Sequence, residues 1–313
     1  MTVRFRAMGT EVSVYTPAWS PVTAHSAYHT AQDVFQEAER RYSRFRPDSE
    51  LWQLNHSAGR VKVSSQLFSA LKRARLYFEL TEGLFDITVG SALLSLGYAR
   101  SFGELPASET PAEESVGNTS AGHIELDDES RTVTRPVGAT LDLGGFIKGQ
   151  TVDRVARLLP ANVLVDAGGD MMCRGDGPNG RGWMVDVEDP QNPEHSLMTL
   201  RIQNAAVATS ASNRRRWSLG GAVHHHLIDP RVMRSSASDL AQVTVITTGA
   251  EVADVFAKTA FFMGTQAAQK WLSTLPHVAA VLVTQTGAVE MVGRFSPANS
   301  NAESTHHWEV VHG

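Results

Sequence analysis

The amino-acid sequence predicts an α+β fold in which mixed or antiparallel sheets are flanked by helices. Patterns typical of strands and of helices follow one another without the strict alternation of a Rossmann-type parallel sheet. Several strand-like runs are separated only by short turns, which favours antiparallel pairs. A chain of 313 residues is long enough to bury a large core, in one large domain or in two lobes.

The N-terminal part of the chain combines a strand pair with two helices. Residues 3–15 alternate apolar and polar side chains, which predicts two strands interrupted near Gly9. Apolar residues at helical spacing predict helices over 23–42 and 65–80. Residues 104–121 are rich in Pro, Ser, Glu and Gly, and this composition predicts a mobile loop.

From His123 onward the sequence favours strands. A hairpin is predicted first, and the strand-like runs are 124–126, 132–134, 163–165, 183–187, 198–202, 205–209 and 243–247. Two helices and a terminal hairpin follow, over 251–264, 266–274, 278–283 and 289–292. Residues 296–307 look loose and polar, so we expect a folded domain over 1–295 and a polar C-terminal tail over 296–313.

The composition argues against several classes of protein. The formal charge of −5 and the lack of a basic face argue against nucleic-acid binding. No stretch of about 18 apolar residues occurs, so we expect no membrane span. Cys173 is the only cysteine, which excludes disulfides within the chain and cysteine-rich metal sites. The N-terminus has no long apolar run and no lipid-attachment cysteine, so we expect a cytoplasmic protein.

The most informative segment is Leu141-Asp-Leu-Gly-Gly-Phe-Ile-Lys-Gly149, which predicts a strand end, a glycine turn and then a helix over 150–159. Adjacent glycines let the backbone approach a ligand closely, and the N–H groups at a helix start favour anions. Lys148 adds a cation and Asp142 a carboxylate, a combination that suits a phosphate ester, with or without a metal. The alternative is a turn that only connects a strand to a helix.

This segment resembles the Asp-Leu-Gly-x-Ile-x-Lys-Gly segment of the FAD:protein FMN transferases, also called the flavin transferase or ApbE family. Other segments resemble the family in the same order along the chain: Met8-Gly9-Thr10, residues 43–55, 83–90, 97–98 and 165–170, Ala208-Thr209-Ser210, His226-Leu-Ile-Asp229-Pro230 and residues 253–259. The resemblance extends over most of the chain, from residue 5 to residue 290.

The resemblance implies a two-lobed transferase fold, with FAD as the substrate and Mg²⁺ on its diphosphate. A threonine hydroxyl of an acceptor protein attacks the FMN-side phosphorus, AMP leaves, and FMN stays attached through a phosphoester. His226 is the implied general base, a role that suits a neutral imidazole. The implied flavin-nucleotide contacts are Met8, Phe45, Leu84, Phe85, Asp86, Asp142, Lys148, Thr209, Ser210 and Ile228.

The metal site that the resemblance implies departs from the family pattern. Its oxygen donors are the carboxylate of Asp254, which is thereby an implied catalytic residue, and the backbone carbonyl of Gly145. The threonine expected four residues after Asp254 is replaced by Lys258, which cannot ligate a metal while it is protonated. Thr259 is adjacent but points about 100° away on a helix. The metal site is therefore weaker, rebuilt with water, or partly replaced by the ammonium charge.

Three further positions differ from the family pattern. Phe45 stands where tyrosine is common, which keeps ring stacking but loses a hydroxyl. Ala211 replaces a glycine, and it would be strained if that position requires a positive φ. Ile87 replaces a proline.

Two alternatives to a transferase stay open. With water in place of the acceptor hydroxyl, the same site would be an FAD pyrophosphatase that yields FMN and AMP. A flavin-binding protein without catalytic activity is the second alternative, and Phe45, Ala211 and Lys258 favour it.

Overall fold

The computed structural model describes residues 1–17, 19–102, 120–295 and 307–312. The chain divides into two compact units. The first, which we call the large-sheet unit, consists of Met1–Gln36, Lys148–Ala211 and Ser238–Gly313. The second, the small-sheet unit, consists of Glu37–Ile147 and Ser212–Ala237.

The large-sheet unit is built on a sheet that has eight strands within the described residues. The strands, in chain order, are β1 (Thr2–Ala7), β2 (Thr10–Tyr15), β6 (Val163–Ala167), β7 (Asp170–Arg174), β10 (Ala205–Ala211), β15 (Leu240–Thr247), β16 (Ala279–Thr284) and β17 (Val289–Gly293). Their order in the sheet is the same as their order in the chain, and neighbouring strands pair antiparallel. Every residue of β15 is buried, as expected for a strand covered on both faces.

Helices cover one face of this sheet. They are α1 (Pro21–Tyr42), α5 (Ile147–Leu158), α6 (Ala250–Met263) and α7 (Thr265–Ser273). Apolar side chains of α1 and α5, such as Phe35 and Val155, pack against strand residues Val12, Val14 and Val165 in one core cluster. The helical spacing that predicts these helices is therefore the spacing of the residues they bury.

A smaller sheet covers the other face. It contains β8 (Trp183–Glu188), β9 (Ser196–Gln203) and β18 (His307–His312), in the order β18-β9-β8. Trp308 packs with Leu200 and Val281 in a second core cluster. The prediction of a polar tail is therefore wrong for residues 307–312, because a buried tryptophan and six residues of strand lie within it. Residues 296–306 lie outside the described residues.

The small-sheet unit contains short elements. Its helices are α2 (Glu50–His56), α3 (Ser65–Leu80) and α4 (Gly90–Ser95), and a 3₁₀ turn spans Ala121–His123. Its strands are β3 (Arg60–Lys62), β4 (Glu125–Asp127), β5 (Thr132–Thr134), β11 (Arg216–Leu219), β12 (Ala222–His225), β13 (Ile228–Asp229) and β14 (Arg234–Ser235). Ser49 caps α2 by accepting from the Trp52 N–H at 3.0 Å, and Ser64 caps α3 in the same way.

The predicted α+β class with antiparallel sheets is confirmed. The strand predicted to end at Leu141 is wrong, since only an isolated bridge joins Thr140 to Val89. The amide of Asn55 instead bonds both backbone groups of Leu141, at 2.8 and 2.9 Å, and so takes the place of a neighbouring strand. The mobile loop predicted over 104–121 lies almost entirely outside the described residues, and its last residue begins the 3₁₀ turn.

No helix within the described ranges has the length and apolar character needed to cross a membrane.

Candidate functional site

The candidate site begins at the start of α5, where Lys148 lies in the first helical turn. Its ammonium donates to the carboxylate of Asp170, the first residue of β7. The side chain of Lys148 is 13% exposed and that of Asp170 is 2% exposed, so the pair is largely buried. Because a buried pair is held firmly, Lys148 projects from a fixed position on the large-sheet unit.

Two hairpin turns lie at the same end of the large sheet as this ion pair. One is Met8-Gly9 and the other is Gly168-Gly169, and all four residues have positive φ. The two turns approach each other so closely that a Cβ on Gly168 would overlap the hydroxyl of Thr10. A two-residue turn with two positive φ angles matches strand twist, and glycine adopts it without strain.

Met8 departs from that rule, because its φ of 51° is unusual for a bulky side chain. It is half-buried against the core cluster beneath the sheet. Backbone strain of this kind is retained where the surroundings require it, often at a functional site. The strained turn therefore agrees with the assignment of Met8 as a ligand contact, which stays a prediction.

Helix α6 is held at its start by residues of α5. Asp153 accepts from the N–H groups of Ala250 and Glu251 at 2.8 and 3.0 Å. The residue before α6, Gly249, provides no side-chain cap. A Cβ on Gly149 would overlap the carbonyl of Ala250, so only glycine lets the two helix starts come this close. The position of α6 thus depends on two residues of α5.

One turn into α6, Asp254 is paired with Lys258. The ammonium of Lys258 donates to Oδ1 of Asp254, and the side chains are 17% and 2% exposed, respectively. Oδ2 of Asp254 is buried and accepts no hydrogen bond from any described residue. The hydroxyl of the neighbouring Thr259 is buried and donates to the carbonyl of Val255 at 2.9 Å. The Thr259 hydroxyl is thus engaged within its own helix, and its exclusion from the metal site stays a prediction.

These residues do not fit a magnesium site as they stand. The buried carboxylate of Asp254 already accepts from the ammonium of Lys258, and the hydroxyl of the neighbouring Thr259 is engaged with backbone. Across the ranges the structure describes, no three His, Cys, Asp or Glu side chains are grouped so as to hold a metal ion. A dication next to Asp254 would also be repelled by Lys258. Gly145 lies half-buried in the turn before α5, in the small-sheet unit.

Strand β10 carries two more of the predicted contact residues. Thr209 is exposed, and its hydroxyl lies 2.8 Å from that of Thr244 on β15. Ser210 is buried, and its hydroxyl has no hydrogen-bond partner among the described residues. Ala211 ends the strand without a positive φ, so the strain considered for this position does not arise.

In the small-sheet unit, an arginine binds the carboxylate of Asp142, which lies just before the glycine turn. The Nε of Arg44 donates to Oδ2 of Asp142 at 2.6 Å, and Gly144 donates its N–H to Oδ1 at 2.6 Å. The Arg44 side chain is only 3% exposed. Its guanidinium lies over the rings of Phe45 and Tyr98, at 4.0 and 4.9 Å from their centroids. Asp142 is therefore fixed by an ion pair that is itself packed between aromatic rings.

These rings belong to a small aromatic cluster. Tyr98 stacks on Trp217 with centroids 5.1 Å apart, and the indole of Trp217 donates to the carbonyl of Leu96 at 2.5 Å. Burial raises the pKa of Tyr98, so its hydroxyl remains protonated at neutral pH. Phe45 is half-buried at the edge of this cluster. A planar ring could stack there, which agrees with the flavin contact predicted for Phe45.

The loop after α3 is more deeply buried than the sequence indicates. Leu84 is half-buried, whereas Phe85 packs edge-on against Tyr77 and Phe146 in the core. Asp86 accepts from the N–H and hydroxyl of Thr88, both at 2.7 Å, and from the Ala121 N–H at 3.1 Å. These contacts give Asp86 a structural role, and its predicted role in flavin binding is not tested by them.

The three consecutive histidines differ in their surroundings. His225 ends β12, and its Nε2 lies 3.1 Å from the carbonyl of Ser236. Burial lowers the pKa of His225, which favours a neutral ring. His226 follows the strand and is half-buried. Within the described residues these histidines belong to no group of three His, Cys, Asp or Glu side chains that could hold a metal ion.

The segment after His226 is anchored by its own side chains. Ile228 is buried in the aromatic cluster. Asp229 receives three hydrogen bonds from the guanidinium of Arg231, Nε to Oδ1 at 2.9 Å, Nε to Oδ2 at 3.2 Å and Nη2 to Oδ2 at 2.6 Å. The ion pair between Asp229 and Arg231 stabilises this turn. The backbone that follows His226 is therefore held in one conformation.

The sequence pattern of the ApbE family matches residues 8–282. The chain belongs to the ApbE family. Two curated relatives are named FAD:protein FMN transferase. The one from Vibrio cholerae is 29% identical over 241 residues, which cover 74% of this chain and 71% of the relative. The one from Treponema pallidum is 26% identical over 280 residues, which cover 83% and 77%.

A solved structure agrees with this assignment. The ApbE protein from Thermotoga maritima superposes with a TM-score of 0.82 at 26% sequence identity. The match covers 93% of this chain and 96% of that protein. The resemblance deduced from short segments of this ApbE-family chain therefore extends to its fold over the 93% of the chain that superposes.

Sequence reasoning missed three polar residues of this ApbE-family chain: Arg44, Asp153 and Asp170. Each provides the partner of a residue or helix that the sequence did single out. Arg44 lies within the segment that resembles the family, and Asp170 follows the two glycines of another such segment. The sequence did show that Arg44 and Asp170 are charged residues inside segments that resemble the family. Their partners could be identified only from the fold.

Proposed function

We propose that this chain transfers FMN from FAD to a hydroxyl of an acceptor protein and releases AMP. The observation that carries the proposal is membership of the ApbE family across residues 8–282, together with relatives named for this reaction. We place the catalytic fold at residues 1–295 with the strand over 307–312, which packs as part of the same core.

The reaction replaces the phosphoanhydride bond of FAD with a phosphoester bond to the acceptor. The acceptor oxygen bonds to the FMN-side phosphorus, the bond from that phosphorus to the bridging oxygen breaks, and the bridging oxygen leaves with AMP. We propose threonine as the acceptor residue. Such chemistry depends mainly on positioning and on neutralising charge at the phosphates.

We assign the phosphate contact to Lys148. Its place in the first turn of α5 puts an ammonium beside helix N–H groups, which also favour anions. Asp170 pairs with this ammonium and fixes its direction. The Met8-Gly9 and Gly168-Gly169 turns, at the same end of the sheet, offer a close backbone approach.

We assign the general base to His226. A half-buried imidazole in the segment fixed by Asp229 and Arg231 can accept the hydroxyl proton as the oxygen attacks. Phe45 would stack on the flavin ring, and Arg44 would hold Asp142 in place near it. The proposed steps do not use Mg²⁺, because Asp254 is already paired with Lys258.

The test uses FAD and a panel of synthetic peptides that each contain one threonine, with alanine counterparts as controls. A transferase produces peptides that stay fluorescent after denaturation, releases an equal amount of AMP, and leaves the alanine peptides unlabelled. Free FMN and AMP without labelled peptide would identify the pyrophosphatase alternative. FAD that binds but stays intact would contradict both enzymes and identify a flavin-binding protein.

A further inference from the structure

A lysine occupies the place next to Asp254 where a divalent cation is implied by the family resemblance. Lys258 lies one helical turn after Asp254, on the same face of α6, and its ammonium bonds to the carboxylate. Asp254 is 1% exposed, so its charge cannot be neutralised by bulk water. Lys258 is therefore the cation that makes this buried carboxylate stable.

The acidic and histidine side chains of the described residues form no metal site around this carboxylate, whose Oδ2 accepts no hydrogen bond from them. The Thr259 hydroxyl is directed to the Val255 carbonyl, and no cluster of three acidic or histidine side chains exists in the described ranges. Magnesium requires near-octahedral oxygen coordination. A single carboxylate that already accepts from an ammonium falls short of that requirement.

The charge and reach of Lys258 suit a phosphate group. The Asp254–Lys258 pair has no net formal charge. The ammonium of Lys258 can therefore be placed in the protein interior without adding net charge there. The Lys258 side chain is 17% exposed, whereas that of Asp254 is 2% exposed, so the ammonium lies on the accessible side of the pair. Lysine binds phosphate as a compact point charge on a flexible stem.

We infer that Lys258 is a built-in cation for the diphosphate of FAD and replaces a divalent metal at Asp254. The inference rests on the proposed function, because it concerns the same substrate. Its consequence is that FAD binding and AMP release proceed in this chain without a divalent ion. Asp254 then acts as a positioning residue that directs the ammonium rather than as a metal ligand.

The experiment uses the full chain and Mn²⁺, whose free ion gives an electron paramagnetic resonance signal that disappears on binding. Wild type, Lys258→Thr and Lys258→Gln are titrated with Mn²⁺ in the presence of FAD, with FAD alone as the blank. Lys270→Thr, a change at an exposed lysine of α7, is the matched control. FAD affinity is measured separately by flavin fluorescence, with EDTA and with Mg²⁺.

We expect wild type and Lys270→Thr to hold no Mn²⁺ beyond the blank and to bind FAD equally well with EDTA and with Mg²⁺. Lys258→Thr with FAD should bind Mn²⁺ about 10–100-fold more tightly than the FAD blank does, the range seen when a neighbouring group of a metal site is changed. Its FAD affinity should fall in EDTA and recover with Mg²⁺. Lys258→Gln, which lacks both charge and hydroxyl, should lose FAD affinity in either condition.

The inference is overturned if wild type with FAD takes up Mn²⁺ as tightly as Lys258→Thr, or if its FAD affinity rises when Mg²⁺ is added. Should Lys258→Thr fail to fold by circular dichroism, the wild-type titrations and Lys258→Gln still decide the question. Failure of the proposed function has a different signature, in which wild type binds FAD but releases no AMP with any acceptor or metal.

Discussion

Replacing Asp153 with alanine removes the side chain that caps α6. The carboxylate accepts from two N–H groups, those of Ala250 and Glu251, and both residues are buried. Each buried N–H left without a partner costs about 1–3 kcal/mol, and part of that cost is offset because the carboxylate no longer has to be desolvated. We expect the free energy of unfolding to fall by about 3 kcal/mol, which exceeds the usual loss of about 1 kcal/mol for an exposed cap.

The assay is urea unfolding followed by circular dichroism, with Asp153→Asn as the matched variant. Asparagine keeps one acceptor oxygen at similar volume, so its loss should be roughly half that of alanine. In thermal unfolding the alanine variant should melt roughly 6–12 °C below wild type, at about 2–4 °C per kcal/mol for a chain of this size. A loss below about 0.5 kcal/mol for Asp153→Ala would refute the capping role.

Wild type and Asp153→Asn also give a prediction about how stability depends on pH. Burial raises the pKa of Asp153, although the two backbone hydrogen bonds oppose this shift. The folded protein therefore binds this proton more tightly than the unfolded chain does. As the pH falls through the raised pKa, wild type gains stability relative to Asp153→Asn, and the difference is largest below the unfolded pKa. A difference that shrinks on acidification would mean that the hydrogen bonds outweigh burial.

Three other substitutions and one labelling experiment test separate parts of the structure. Lys148→Ala should weaken FAD binding by tenfold or more while riboflavin binding changes little, since the lost partner is a phosphate; equal weakening in fluorescence titrations would remove that role. His226→Ala should lower transfer by roughly 10²–10⁴-fold with nearly unchanged FAD affinity, and wild-type turnover would exclude the histidine. Cys173, whose pKa is raised by complete burial, should resist thiol reagents until the protein unfolds, and rapid native labelling would contradict that burial. Gly149→Ala should destabilise the fold by about 1–3 kcal/mol through overlap with the Ala250 carbonyl, and an unchanged melting temperature would show that α6 can shift.

Local patterns in the sequence were enough to predict the long elements. The helices Pro21–Tyr42 and Ser65–Leu80 were predicted to within two residues, because each buries a regular apolar stripe. The hairpins at both ends of the large sheet followed from alternation and short turns. The strands of two to four residues around Ile228 were not predicted, since so few residues show no period.

The sequence predicted which residues belong to the candidate site, but it did not predict which of these residues pair with which others. Lys148 and Asp142 were expected to act together at a phosphate ester, whereas each is paired with a different residue. Arg44 lies 98 positions before Asp142 in the chain, and no local pattern connects them. The replacement at Lys258 was visible in the sequence, but its pairing with Asp254 depends on the rotamers that the packed helix allows.

Strand β18 has a consequence for the chain's behaviour in concentrated solution. It covers the outer edge of β9, and Glu309, beside the buried Trp308, forms an ion pair with Arg201 across the two strands. Without residues 307–312, the backbone groups of β9 would be open to pairing with any other extended peptide, including the same strand of another molecule. Shortened versions of this protein should therefore precipitate or form intermolecular sheets even though the residues proposed to contact the nucleotide are intact.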